Sequence, residues 1–179
     1  MSATTDIPSL ESLGFLPYIN DVGELPEILQ NQIGIYAIFD RSQDLQFVGY
    51  SRDIYLSLKQ HLVRQPELCY WVKATTIDRP NRTFLESVQA SWIAENGSIP
   101  IGNGEANSQW LDPISTHHAM TAAESDSFGD LDGLAQIKLL KQVARRVEDT
   151  ILAKLQERGV QAEIRFNPKL KEQGLLDLK

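Results

Sequence analysis

The side chains of this chain that could do chemistry are few and widely spaced. His61 lies in a run with helical spacing, and a neutral imidazole there could give or take a proton near pH 7. A lone helix histidine serves equally well as a structural residue. Cys69 is the single cysteine, a redox handle if its thiol is activated and an inert filler if it is buried. Tyr36 sits in an apolar run, where a tyrosine can bury its ring and keep its hydroxyl wet. Lys138, Lys141 and Arg145 recur at spacings of three and four, a cationic stripe of the kind that binds phosphate in a salt-sensitive way. His117 and His118 are adjacent but have no further ligand cluster, so no metal is expected there.

Composition narrows what these groups can be part of. With 179 residues and 42% of them hydrophobic, the chain can bury a sizeable core. No run approaches the roughly 18 apolar residues of a membrane helix, and the first thirty residues lack a signal-peptide pattern, so a cytoplasmic protein without a membrane partner is expected. One cysteine excludes an internal disulfide and a multi-cysteine zinc site. The net charge of −7 is unfavourable for nucleic-acid binding, but it is unevenly placed. Residues 1–32 and 111–133 each carry five acids and no Lys or Arg, whereas 134–179 has ten basic and six acidic residues, a net of +4.

The elements that must position these groups can be read from periodicity. Ile33–Asp40 and Leu45–Tyr50, separated by a polar turn, predict a β-hairpin. Ser51 is a candidate N-cap for a helix with Ile54, Leu58 and Leu62 on its buried stripe, and Asp53 falls in its first turn. Tyr70–Ile77 predicts a third strand, and about Thr83–Asn96 a second helix with Leu85, Val88, Trp92 and Ile93 on one face and Gly97 closing it. A short helix is expected around Glu24–Leu29. Residues 103–133, rich in Gly, Ser, Asn, Asp and Thr, predict a long loop, with Trp110-Leu111 as a segment that could dock back on the core. A third helix, Lys138–Arg158, is stopped by Gly159, and Val160–Phe166 alternates as a terminal strand. The expected fold is α+β: a small, mostly antiparallel sheet flanked by helices. Its parts are an N-terminal extension (1–32), a core (33–110), an acidic flexible loop (111–133), and a C-terminal helix and strand (134–179) packing on the core.

Gly34-Ile35-Tyr36-Ala37 in the first strand and Leu45-Gln46-Phe47-Val48-Gly49 in the second, with Ser51-Arg52, carry a resemblance. So do Pro66-Glu67-Leu68-Cys69, Trp92-Ile93 with Glu95, and Pro100-Ile101-Gly102-Asn103. Together they resemble the GIY-YIG domain of homing endonucleases and excision-repair nucleases. The likeness is closer to the amino-terminal domain of plant chloroplast monothiol glutaredoxins, which belongs to the same superfamily. It covers about residues 33–110 and, more loosely, the expected terminal strand at Glu163–Phe166, and the chain carries no glutaredoxin domain. The resemblance implies a phosphodiester cut with Mg²⁺ or Mn²⁺ as cofactor. In such a cut a base activates water, a metal stabilises the leaving oxygen, and a cation neutralises the phosphorane.

Carried over residue by residue, the resemblance makes Tyr36 the candidate base and places His61 where the family has a His or Tyr, an imidazole that could act as acid or base. Glu86 becomes the metal ligand, and Asn103 the asparagine after the second helix. Gln89 takes the metal position if the helix is registered on Trp92-Ile93. Phe47 stands where the family has its second tyrosine and has no hydroxyl. Ser57 stands at the family's arginine, leaving Arg52, a turn earlier, as the substitute cation. Each has a plainer reading: Glu86 and Arg52 as solvated surface charges, Asn103 as a turn residue between glycines. The readings that follow are a divergent metal-dependent DNA endonuclease, an inactive module binding nucleic acid or a protein partner, and a redox-linked regulatory module.

Overall fold

A computed structural model describes residues 6–179, and the first five residues of the N-terminal extension lie outside the described residues. The chain divides into two compact units, Met1–Leu111 and Asp112–Lys179. Among the described residues no helix is long and apolar enough to cross a membrane.

The first unit is built on the expected hairpin. Strands β2 (Ile33–Phe39) and β3 (Leu45–Ser51) pair antiparallel, with Tyr36 opposite Gly49. Strand β4 (Trp71–Ile77) pairs antiparallel with the other side of β2, and the two-residue β1 (Leu16–Pro17) with the start of β4. The sheet order is β1-β4-β2-β3 and every pairing is antiparallel, so the α+β class holds as expected. β1 was not foreseen, because a two-residue strand ending in proline has no periodicity to read.

Strand alternation sends β2 and β3 side chains to opposite faces. Ile35, Ala37, Phe39 and Val48 join Leu85, Val88 and Trp92 of helix α2 (Arg82–Asn96) in one core. Tyr36, Ile38 and Phe47 point the other way, the side of Leu58, His61 and Leu62 on helix α1 (Ile54–Arg64). The sheet is thus the middle of three layers. Helix α1 is capped by Asp53, whose side chain accepts from Leu56 N, and not by Ser51 as expected. Ser51 ends β3 instead, where its hydroxyl accepts from Asp53 N. The expected helix near Glu24–Leu29 is a single 3-10 turn, Glu27–Leu29.

The N-terminal segment belongs to this core. Leu10 is gripped from both ends of its peptide units: its N–H donates to Glu95 Oε2 at 2.6 Å, and its carbonyl accepts from Lys73 Nζ at 3.0 Å. Lys73 is buried and also lies 4.3 Å over the Phe15 ring, so its charge is met by a carbonyl and a π-face.

The second unit corrects the expected irregular loop. Residues 111–133 include β5 (Ile114–Ser115), a 3-10 turn and helix α4 (Ala122–Phe128), which follow helix α3 (Asn107–Leu111). Helix α4 is held by a capping box between Thr121 and Glu124, and Arg146 clamps Glu124 with hydrogen bonds of 3.0 and 2.8 Å. Helix α5 (Gly133–Glu157) buries Leu140, Val143, Ala144, Ile151 and Leu155, and Gly159 turns the chain at φ +74.

Val160–Phe166 does not form the expected strand. Its side chains do alternate between more and less exposed, but only Phe166 finds a bridge partner, Leu178. Alternation reports burial, whereas a strand also needs a neighbour for its peptide groups. The strand that does form is β6 (Leu175–Leu176), paired with β5 and following the short helix α6 (Pro168–Lys171).

Candidate functional site

The signature glycines have steric reasons. A Cβ on Gly34 would run into the Thr75 carbonyl of β4, on the next strand. A Cβ on Gly49 would meet the Tyr36 hydroxyl at 2.8 Å, its ring carbon Cζ at 2.9 Å, and Phe47 at 2.6 Å. Gly49 therefore lets the cross-strand Tyr36 ring lie flat over β3.

Tyr36 and His61, each named above as a candidate for proton transfer, meet in the structure. The Tyr36 hydroxyl and His61 Nε2 share a hydrogen bond of 2.8 Å, whose direction follows the imidazole tautomer. The pair is closed in, with Tyr36 only 3% and His61 2% exposed. Phe47 packs 4.7 Å from the imidazole by ring centroids. Trp110, wholly buried, stacks on Phe47 at 5.2 Å with the rings 4° apart. Trp110 thus docks on the core, and α3 is the element that delivers it.

Burial governs the electrostatics of this pair. Desolvation pushes the Tyr36 phenol well above its ordinary range, partly offset by the Ser57 hydroxyl and the Arg64 charge. Desolvation also lowers the His61 pKa to about 3, with the Arg64 charge lowering it further and the Trp110 backbone opposing. His61 Nδ1 is buried without a hydrogen bond of acceptable geometry. Arg64, one turn beyond His61 on α1, is the cation felt by this pair, and its Nη1 donates to the Trp110 carbonyl at 2.9 Å. Sequence reasoning missed it, looking to the helix start for a cation. Arg52 is exposed at that start.

Glu86 is on the other side of the sheet. Tyr50 follows Gly49 and so points to the α2 face, where its hydroxyl donates to Glu86 Oε1 at 3.1 Å. Arg82 Nε donates to the same oxygen at 2.7 Å, and the Arg82 bond is the main reason the Glu86 pKa is lowered. A divalent cation here would sit beside a guanidinium and have the sheet between it and Tyr36. No group of three or more His, Cys, Asp or Glu among the described residues could hold a metal. Glu86, the carboxylate that the resemblance assigns to Mg²⁺ or Mn²⁺, is thus engaged by Arg82 and Tyr50.

The two amide candidates hold backbone. β3 is an edge strand, and the outward peptide groups of Val48 need partners. Asn103 supplies both: Val48 N donates to its Oδ1 and its Nδ2 donates to Val48 O, each at 2.8 Å. Gln89 Nε2 donates to the same carbonyl at 2.8 Å. Replacing Asn103 with alanine is expected to lower stability by about 1–3 kcal/mol, since the Val48 N–H loses its acceptor while the carbonyl keeps only Gln89. Urea unfolding measures it, and an unchanged midpoint would mean that water substitutes fully.

Lys138, Lys141 and Arg145 all lie on α5 in the second unit. Lys138 and Arg145 are exposed, and Lys141 Nζ is 3.4 Å from Glu172 Oε1.

Fold and site together describe a small antiparallel sheet between two helices, with a sealed Tyr-His pair on one face. No family model matches the chain. The chain is similar to bifunctional monothiol glutaredoxin-S16, chloroplastic, of Arabidopsis thaliana, at 35% identity over 109 residues. That stretch is 59% of this chain and 36% of the relative, so the chain spans about a third of the length of the protein it matches. The two are homologous over that stretch.

Proposed function

We propose that the chain is a GIY-YIG-type domain that binds rather than cuts, its partner being DNA or another protein. The observation that carries this reading is the separation of the candidate groups. Tyr36 and His61 are enclosed under Phe47 and Trp110, while Glu86 is paired with Arg82 across the sheet. A base must reach the water it activates, and burial raises the Tyr36 pKa, which weakens the phenolate reading further. The redox link that the relative's name suggests has little support in Cys69, which is fully buried with its thiol against the His61 carbonyl.

The competing reading is a divergent metal-dependent endonuclease. Supercoiled plasmid incubated with the chain and Mg²⁺ or Mn²⁺ separates the two. No nicking, or nicking equal in wild type and Tyr36→Phe, is expected. Nicking by the wild type that Tyr36→Phe abolishes would overturn the binding reading.

A further inference from the structure

In the second unit, α5 and α6 enclose a cleft of about 250 Å³ lined by Lys141, Arg145, Pro168, Lys169, Lys171 and Glu172. Its cations are not equivalent. Lys171 Nζ is 2.5 Å from Glu148 Oε2, and both side chains are less than a fifth exposed, so this pair fastens α6 to α5. Lys141 faces Glu172 at the longer distance of 3.4 Å, and both are well exposed, so that contact is weak. Arg145 and Lys169 have no ion-pair partner among the described residues. Four cations against two carboxylates leave two positive charges around one concave space.

A phosphate monoester carries about −1.5 to −2 near pH 7, which matches that excess. A long polyanion fits less well. On this face of α5 the order Lys138, Lys141, Arg145 ends at Glu148, and Glu172 closes the cleft on the α6 side. A nucleic-acid backbone asks for a cationic row that continues. We propose that the cleft binds the phosphate group of a small phosphomonoester. Arg145 and Lys169 supply the unpaired charges, and Lys141 exchanges Glu172 for the phosphate. Glu172 then acts as a built-in competitor.

The test titrates the full, isotope-labelled chain with glycerol 2-phosphate, using glycerol and chloride at matched ionic strength as controls. Amide shifts of Arg145 and Lys169–Glu172 report binding. A saturable response to the ester alone is expected. The double replacement Arg145→Ala, Lys169→Ala should weaken it at least about tenfold, because charge-assisted hydrogen bonds are lost. Glu172→Gln should tighten it about two- to fivefold, the range of an exposed ion pair. All three positions are at the surface, and thermal melts by circular dichroism check that the variants stay folded. A linear, unsaturated response, or one the variants leave unchanged, would overturn the proposal. So would a short DNA duplex that displaces the ester and binds more tightly, which would assign the surface to nucleic acid. The cleft is confined to the second unit, and its outcome is independent of the plasmid assay.

Discussion

Trp110→Ala is expected to destabilise the first unit by about 3–5 kcal/mol, the usual range for removing a large aromatic from a packed site. Trp110 is wholly buried, lies parallel to Phe47, and its carbonyl receives the Arg64 guanidinium. Deleting the indole opens a cavity beside Phe47 and His61, and neither can fill it without leaving the other. Against a typical stability of about 5–15 kcal/mol the loss is large, so unfolding at modest urea is expected. A second readout is more specific. With the indole gone, water reaches the imidazole, and the His61 pKa should climb from about 3 back towards its ordinary 6.5. Proton NMR of the ring follows this directly. Trp110→Phe, which keeps a stacking partner, should remain folded with His61 still depressed. A His61 that stays untitrated above pH 5 in folded Trp110→Ala would show that another element provides its burial.

Stability should also fall as the solution is acidified through the range where an exposed histidine gains its proton. Unfolded, His61 titrates at about 6.5; folded, burial holds it neutral down to about 3. Below pH 6.5 the unfolded state therefore binds the extra proton, and linkage shifts the balance towards unfolding. The loss begins near pH 6.5, continues as pH falls, and levels off only below about 3. From pH 7.5 to 5 it should reach about 2 kcal/mol, one and a half pH units at 1.36 kcal/mol each. Urea midpoints across that range measure it. His61→Phe removes the titrating group, so that variant should be less stable at pH 7.5, having stranded the Tyr36 hydroxyl, yet flatter with pH. Equal slopes in the two proteins would place the pH dependence elsewhere.

The parts of the fold that were legible in sequence are those whose pattern and partner lie close together. Ile33–Asp40 and Leu45–Tyr50 announce a hairpin because both runs and their turn are contiguous, and the strands form over nearly those limits. Ile54, Leu58 and Leu62 are all buried, as their spacing requires. Helix α4 was legible too, through Thr121 and Glu124 at capping-box spacing, but the polar composition around it drew the reading towards a loop. β6 was not: two leucines form a strand only because β5 lies beside them. The site divides in the same way. Tyr36 and His61 were each singled out through the resemblance and share a hydrogen bond, whereas the stacking of Trp110 on Phe47 depends on a turn that no periodicity marks. Register decides which face each residue takes. The step from Gly49 to Tyr50 sends one neighbour to Tyr36 and the other to Glu86.

The amides of Asn103 and Gln89 on Val48 have a consequence beyond their own hydrogen bonds. An uncovered strand at the margin of a sheet is adhesive, since its peptide groups can pair with the same strand of another molecule. By occupying both Val48 groups, these side chains block such stacking at the middle of the β3 margin. An Asn103 variant would then suffer twice, once in the folded monomer and again in the crowd, where exposed margins find each other. Its fate during expression would depend on protein concentration, which a loss of monomer stability alone would not predict.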